Sequence, residues 1–196
     1  MKQTEKLLGI LVFILMITRL LIYYPFSSLA ITLTTVFLSI LYFYCSFALL
    51  NNIRLRYALK SQSYKGISKL RIIATIFSGF IISCVLIYVL FKFQLWPYGH
   101  IGLQISLYGL YIVGIITLIK YVTTKDIFYT LLLKRLAIIG IAATCILFIS
   151  SESFLEMKNR GFPEYVEAEK ALMKDPQNED LLRRVNVERM KMDLYR

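Results

Sequence analysis

Residues 72–91 read IIATIFSGFIISCVLIYVLF, twenty consecutive positions without a charge. An α-helix rises 1.5 Å per residue, so this run is about 30 Å long, the thickness of a bilayer's hydrocarbon core. The stretch predicts a membrane span, Ile72–Phe91, and it sets how the rest of the chain is read. Four more apolar stretches accompany it: Leu7–Tyr24, Ser27–Leu50, Ile101–Val122 and about Leu131–Ser150. The last has a short uninterrupted run, Leu136–Ile149. It spans only if Lys134 and Arg135 sit at the membrane surface with their stems along the apolar region.

Composition agrees. The 196 residues are 58% hydrophobic and 18% charged, more apolar than the roughly 45–50% of a soluble domain. That argues against a water-soluble enzyme, and against a disordered chain, which needs low hydrophobicity and high charge. The expected fold is all-α: a polytopic transmembrane helix bundle of about five spans over residues 1–150, then a polar C-terminal helical hairpin over residues 151–196. Lys2 and Lys6 ahead of the first run look like the start of a signal peptide. No small-residue cleavage site follows, so the run is read as a retained span.

The net charge of +11 is unevenly divided. Residues 1–150 hold 14 Lys and Arg against two acids, Glu5 and Asp126, whereas residues 151–196 hold nine against ten. A basic chain can bind nucleic acid, but here the bases lie between apolar runs, where the bilayer is the partner. Asn51–Arg71 carries Arg54, Arg56, Lys60, Lys65, Lys69 and Arg71 without an acid; Thr123–Arg135 carries Lys125, Lys134 and Arg135. The alternate links, Tyr24–Ser27 and Lys92–His100, carry a single Lys. Positive loops stay on the cytoplasmic side. The expectation is a multi-pass cell-membrane protein with a cytoplasmic N-terminus and an extracytoplasmic C-terminus. The six bases of Asn51–Arg71 are also candidate lipid-headgroup contacts, on a surface helix along the inner leaflet.

Two short outer links echo each other: Tyr24-Pro25-Phe26-Ser27 and Trp96-Pro97-Tyr98-Gly99, 72 residues apart. Proline ends a helix and sets a turn, and aromatic rings favour the membrane boundary. Either every outer hairpin wants these residues, or a two-helix unit is duplicated in parallel. Within the runs, Gly79 and Ser83, and Gly102, Ser106 and Gly109, form small-residue stripes that let helices approach closely. They are expected to pack the third span on the fourth. Gly140 and Thr144 serve likewise on the fifth.

Arg19 is the one charge deep in a long run. It either snorkels to the surface or pairs with Glu152 or Glu156 beyond the fifth span. No carboxylate falls inside a run, which argues against a proton- or sodium-coupled transporter. The single histidine, His100, rules out a bis-histidine haem, and no metal-ligand spacing, P-loop or GxGxxG is present. Cys45, Cys84 and Cys145 fall in different runs and read as small hydrophobes. A serine hydrolase built on His100, Glu152 or Glu156 and Ser150 or Ser151 is conceivable, but no spacing demands it. No cofactor, metal or catalytic residue is assigned.

Beyond Ser150 the fifth helix is expected to continue through Glu156 to Arg160. Gly161 ends it, Pro163 starts a helix to Lys174, and Asp175 caps a last helix begun by Pro176. Ala168-Glu169-Lys170-Ala171-Leu172 with Asp175-Pro176-Gln177-Asn178 and Leu181 resembles the junction between tetratricopeptide repeats. The resemblance covers about twenty residues, half a repeat, and a stable array needs about three. It implies a helix–turn–helix and no membership of that family. Leu181, Leu182, Val185, Met190 and Met192 form the candidate partner surface, met by another membrane or extracytoplasmic protein or a second copy. Three functions fit these features: a non-enzymatic accessory or assembly subunit, an oligomeric transport or channel subunit, and a membrane enzyme acting on a lipid.

Overall fold

The computed structural model describes residues 2–22, 26–54, 57–58 and 60–194. All helices and turns among them form one bundle with a helical tail: α1 Lys2–Leu21, α2 Ser27–Leu49, α3 Lys69–Gln94, α4 Gly99–Thr124, α5 Ile127–Phe148, α6 Ser151–Lys158, α7 Pro163–Lys174 and α8 Glu179–Leu194. Four of them, α2 to α5, are long and apolar enough to cross a membrane. The fifth run is thus among the qualifying helices. It begins at Ile127, because the Asp126 carboxylate accepts the Phe128 N–H at 2.9 Å and caps the helix there. Lys134 and Arg135, expected at the end of a loop, are two turns inside it. Outside those four is α1, with Lys2, Glu5, Lys6 and Arg19 in its twenty residues.

Consecutive long helices pack side by side, and α3 is central, touching α2, α4 and α5. Small residues set these contacts, in a different pairing from the expected one. A Cβ on Gly79 would lie 2.0 Å from the Ser46 Cβ and 2.7 Å from the Tyr42 carbonyl, so the backbone of α3 runs against α2 there. The hydroxyls of Ser83 and Ser39 meet at 2.6 Å in the same interface. The Gly79–Ser83 stripe therefore packs on the second helix and not the fourth. Gly102 and Gly109 of α4 do face α3, against Tyr88 and Ile81. Ser106 is buried and bonds the Leu103 carbonyl of its own helix. Gly140 approaches Leu110 where α5 meets α4.

The sequence echo extends to the backbone. Phe26 and Tyr98 both adopt left-handed conformations, φ 59° and 61°, as the residues before α2 and α4. Both rings are 80% exposed. Bulky residues rarely take such a φ, so the shared strain marks a shared turn. At Gly99 the first residue of α4 must be glycine, since a Cβ would lie 2.6 Å from the Lys92 nitrogen. Tyr24 and Pro25 lie outside the described residues.

The long link between α2 and α3 is not the surface helix expected from its charges. Among the described residues it holds turns and one 3-10 turn, Ser61–Tyr64, with Asn52 and Gly66 at positive φ. The Tyr64 hydroxyl donates to the Ala58 carbonyl at 2.6 Å and closes the loop on itself.

The tail docks on the bundle. Ser150 accepts the Ser153 N–H and starts a new helix, so α5 does not run on to Arg160 as expected. On α6, Phe154 is buried in the bundle core and its neighbour Leu155 in the hairpin core with Tyr165, Val166, Ala168, Val185 and Met192. One short helix thus belongs to both units. Asn178, not Asp175, caps α8: its side-chain oxygen accepts from the Asp180 and Leu181 N–H groups at 3.1 and 3.2 Å. Asp175 instead ends α7.

Candidate functional site

Two polar clusters occupy opposite ends of the bundle. The first gathers residues far apart in sequence. Arg135 on α5 donates through Nε and Nη2 to the two carboxylate oxygens of Glu5 on α1, at 2.8 and 3.0 Å. The Tyr42 hydroxyl on α2 donates to the same carboxylate. The side chains of Arg135 and Glu5 are only 15% and 12% exposed. Arg135 stands eight residues inside α5 and Tyr42 seven residues from the end of α2, so the group lies roughly 10–12 Å in from the helix ends. Glu5 itself is three residues into α1, outside the apolar run, and Arg135 turns inward to meet it instead of marking the surface. Nearer the same end, Arg71 bonds Asp126 at 3.1 Å and Asn51 at 3.0 Å and stacks 3.7 Å over the Phe128 ring. That occupies Arg71, which was expected at lipid headgroups. Arg54, Lys60, Lys65 and Lys69 stay exposed, with Lys60 over the Tyr57 ring. Arg56 lies outside the described residues.

The second cluster forms where the tail meets the bundle. Its cations cap helices. Arg19 reaches α6, but the acceptor it meets is the Lys158 carbonyl at 2.9 Å and not Glu152 or Glu156; Glu156 is engaged by Lys170. Lys158 in turn donates to the Phe93 carbonyl at 2.9 Å and to Gln94 at 3.4 Å, and lies 4.9 Å over the Phe93 ring. Cations at helix C-termini satisfy the last carbonyls and complement the dipole. So α1 holds the end of α6, and α6 holds the end of α3. Burial, with a smaller contribution from the Arg19 charge, lowers the Lys158 pKa from 10.5 to about 8.

Beside them is a third cation of another kind. Lys92, 4% exposed, closes the floor of an open cleft of about 640 Å³ shared with Trp96, His100, Ser151, Glu152 and Met173. Its Nζ lies 3.3 Å from His100 Nδ1 and 3.4 Å from Ser151 Oγ. Among the described residues no carboxylate bridges to it. A lysine beside a serine is the pair of some hydrolases, but a working nucleophile–base contact is about 2.6–3.2 Å. Lys92 is split between two longer contacts, so the group reads as a buried positive charge with neutral neighbours. Among the described residues no group of three or more His, Cys, Asp or Glu could hold a metal ion.

The candidate partner surface divides. Val185 and Met192 are buried within the hairpin, 1% and 5% exposed, and cannot meet a partner. Leu181 is partly buried, whereas Leu182 and Met190 are exposed.

Of the residues that form these clusters, Arg19, His100, Ser151 and Glu152 were candidates from the sequence, Arg135 was read as a surface charge, and Glu5, Tyr42, Lys92 and Lys158 were given no role. Two signals pointed to the others. Glu5 is one of two acids in 150 residues, and Lys92 is the lone cation on the links that the charge rule places outside. No protein-family model, no curated protein and no solved structure matches the chain.

Proposed function

We propose that this chain is an integral membrane protein of five spans, with a cytoplasmic N-terminus, that serves as a non-enzymatic accessory or assembly subunit and holds a protein partner on its extracytoplasmic tail. The fifth span in this reading is α1. Its twenty residues reach about 30 Å, and two of the charges that weigh against it have internal partners, Glu5 with Arg135 and Arg19 with the Lys158 carbonyl. Charged groups in a bilayer persist when they face the bundle and are paired. The basic segments around Arg71 and Lys125 lie at one end and the Lys92–Ser151 cluster at the other, in keeping with a positive inner side.

The observation that carries the partner reading is the two-faced character of α8. Val185 and Met192 pack on the hairpin core, while Val187, Met190 and Leu194, at spacings of three and four residues on the opposite face, are 47%, 61% and 86% exposed. A helix outside the bilayer gains nothing from such a stripe unless something covers it. Met suits an adaptable contact. The test is photo-crosslinking in intact cells from a probe at position 187, 190 or 194. An adduct of defined mass, lost on introduction of Asp at a neighbouring stripe position, is expected. No adduct from any of the three positions refutes the reading. Topology is checked separately with Asn186→Cys in a background lacking Cys45, Cys84 and Cys145: a membrane-impermeant maleimide should label it from outside intact cells.

A further inference from the structure

We propose that the cleft over Lys92 binds the phosphate of a phospholipid headgroup from the leaflet at that end of the bundle, and prefers a headgroup that also carries an ammonium. Lys92 is the reason. Burying an ammonium, 4% exposed, without a counter-charge is strongly unfavourable. The neighbours it donates to are neutral: His100 Nδ1 at 3.3 Å and Ser151 Oγ at 3.4 Å from Nζ. Ser151 is the first residue of α6, so the positive end of that helix borders the cleft and favours an anion there. A phosphate seated over Nζ supplies the missing charge and accepts from the Ser151 hydroxyl.

Position selects the source. Lys92 lies two residues before the end of α3 and His100 is the second residue of α4. Both helices are long and apolar enough to cross a membrane, so the cleft opens at the level of the headgroups. Trp96, 43% exposed on the cleft wall, is a side chain that favours this boundary. A volume of about 640 Å³ suits a headgroup with its glycerol. Glu152, also on the wall and exposed, would repel a second negative charge and attract an ammonium. Ethanolamine headgroups are therefore favoured over glycerol ones. The site requires the membrane placement of α3 and α4 and is independent of the partner stripe on α8.

Trp96 is the only tryptophan in the chain, which makes its emission a reporter of the cleft. The full-length protein in detergent micelles is titrated with short-chain phosphatidylethanolamine, short-chain phosphatidylglycerol, the matching diacylglycerol and inorganic phosphate. Phosphatidylethanolamine should shift the emission saturably, with phosphatidylglycerol at least three-fold weaker and diacylglycerol without effect. Lys92→Gln should weaken binding at least ten-fold, and Glu152→Gln should erase the preference between the two phospholipids. Ser151→Ala, on the open side of the cleft, should weaken binding at least three-fold with an unchanged melting curve, and decides the matter if Lys92→Gln does not fold. Equal shifts by diacylglycerol, or full affinity in the folded Lys92 or Ser151 variants, overturn the site. Inorganic phosphate binding as tightly as the phospholipid overturns the lipid as its source.

Discussion

Replacing Glu5 with Gln should be among the most damaging single changes in the bundle. Glu5 accepts two charge-assisted bonds from Arg135, at 2.8 and 3.0 Å, and one from Tyr42. Both partners of the ion pair are largely shielded, 12% and 15% exposed. Removing one partner of a buried pair costs about 3–5 kcal/mol, because the other charge is left uncompensated. Arg cannot shed its proton to escape, and the residual exposure here places the expected loss near the lower bound, about 3 kcal/mol. For a chain of this size that lowers the melting temperature by about 6–12 °C. The reverse change, Arg135→Met, should cost less, because Glu5 keeps the Tyr42 hydroxyl as a donor. The assay is thermal or denaturant unfolding in bicelles of both single variants and the double variant. The double variant should be more stable than the sum of the singles by about 2 kcal/mol. Additivity within about 0.5 kcal/mol, the tolerance for independent sites, refutes the pairing and with it the internal neutralisation of α1.

Gly79→Ala should destabilise by about 1–3 kcal/mol, the range for overpacking, since its Cβ would strike Ser46; Gly114→Ala, where nothing lies within 4 Å, should be neutral or slightly stabilising by the same unfolding assay. Lys158, lowered from 10.5 to about 8, binds its proton less readily folded than unfolded. Stability should therefore rise as pH climbs from about 8 towards 10.5, with no slope from this group below 8, and Lys158→Met should remove that slope in a pH series of melting temperatures. Arg19→Leu removes the cation at the end of α6, so hydrogen exchange should quicken across α6 to α8 while α3 and α4 keep their protection; unchanged exchange in the tail would mean the cap holds nothing.

Length and hydropathy carried the sequence reading a long way. An uncharged run of twenty residues needs no partner to declare itself, because the bilayer sets its length and backbone satisfaction makes it a helix. Proline and glycine placed the turns for the same reason: their restrictions act locally. Features governed by local chemistry alone were legible, including the start of α7 at Pro163 and the helical hairpin of the tail. The end of α5 was not, because Ser150 can sit within a helix or cap one, and only the seat of Phe154 in the bundle core decides between them.

Partnership across the fold was beyond that reading. A small-residue stripe says that a helix can be approached, not by which neighbour; the tertiary contact assigned Gly79 and Ser83 to α2. Charges near the ends of apolar runs look like surface anchors, since in one dimension depth is all that can be judged. Arg135 proved to be half of a pair whose other member lies 130 residues away, and Lys92 to be closed in by α4 and α6. Sequence alone established that this is an all-helical chain with segments suited to lipid. Which of its charges are neutralised, which cap a helix and which is buried with no counter-ion among the described residues was decided by three-dimensional packing, because electrostatic energy depends on distance through space and not along the chain.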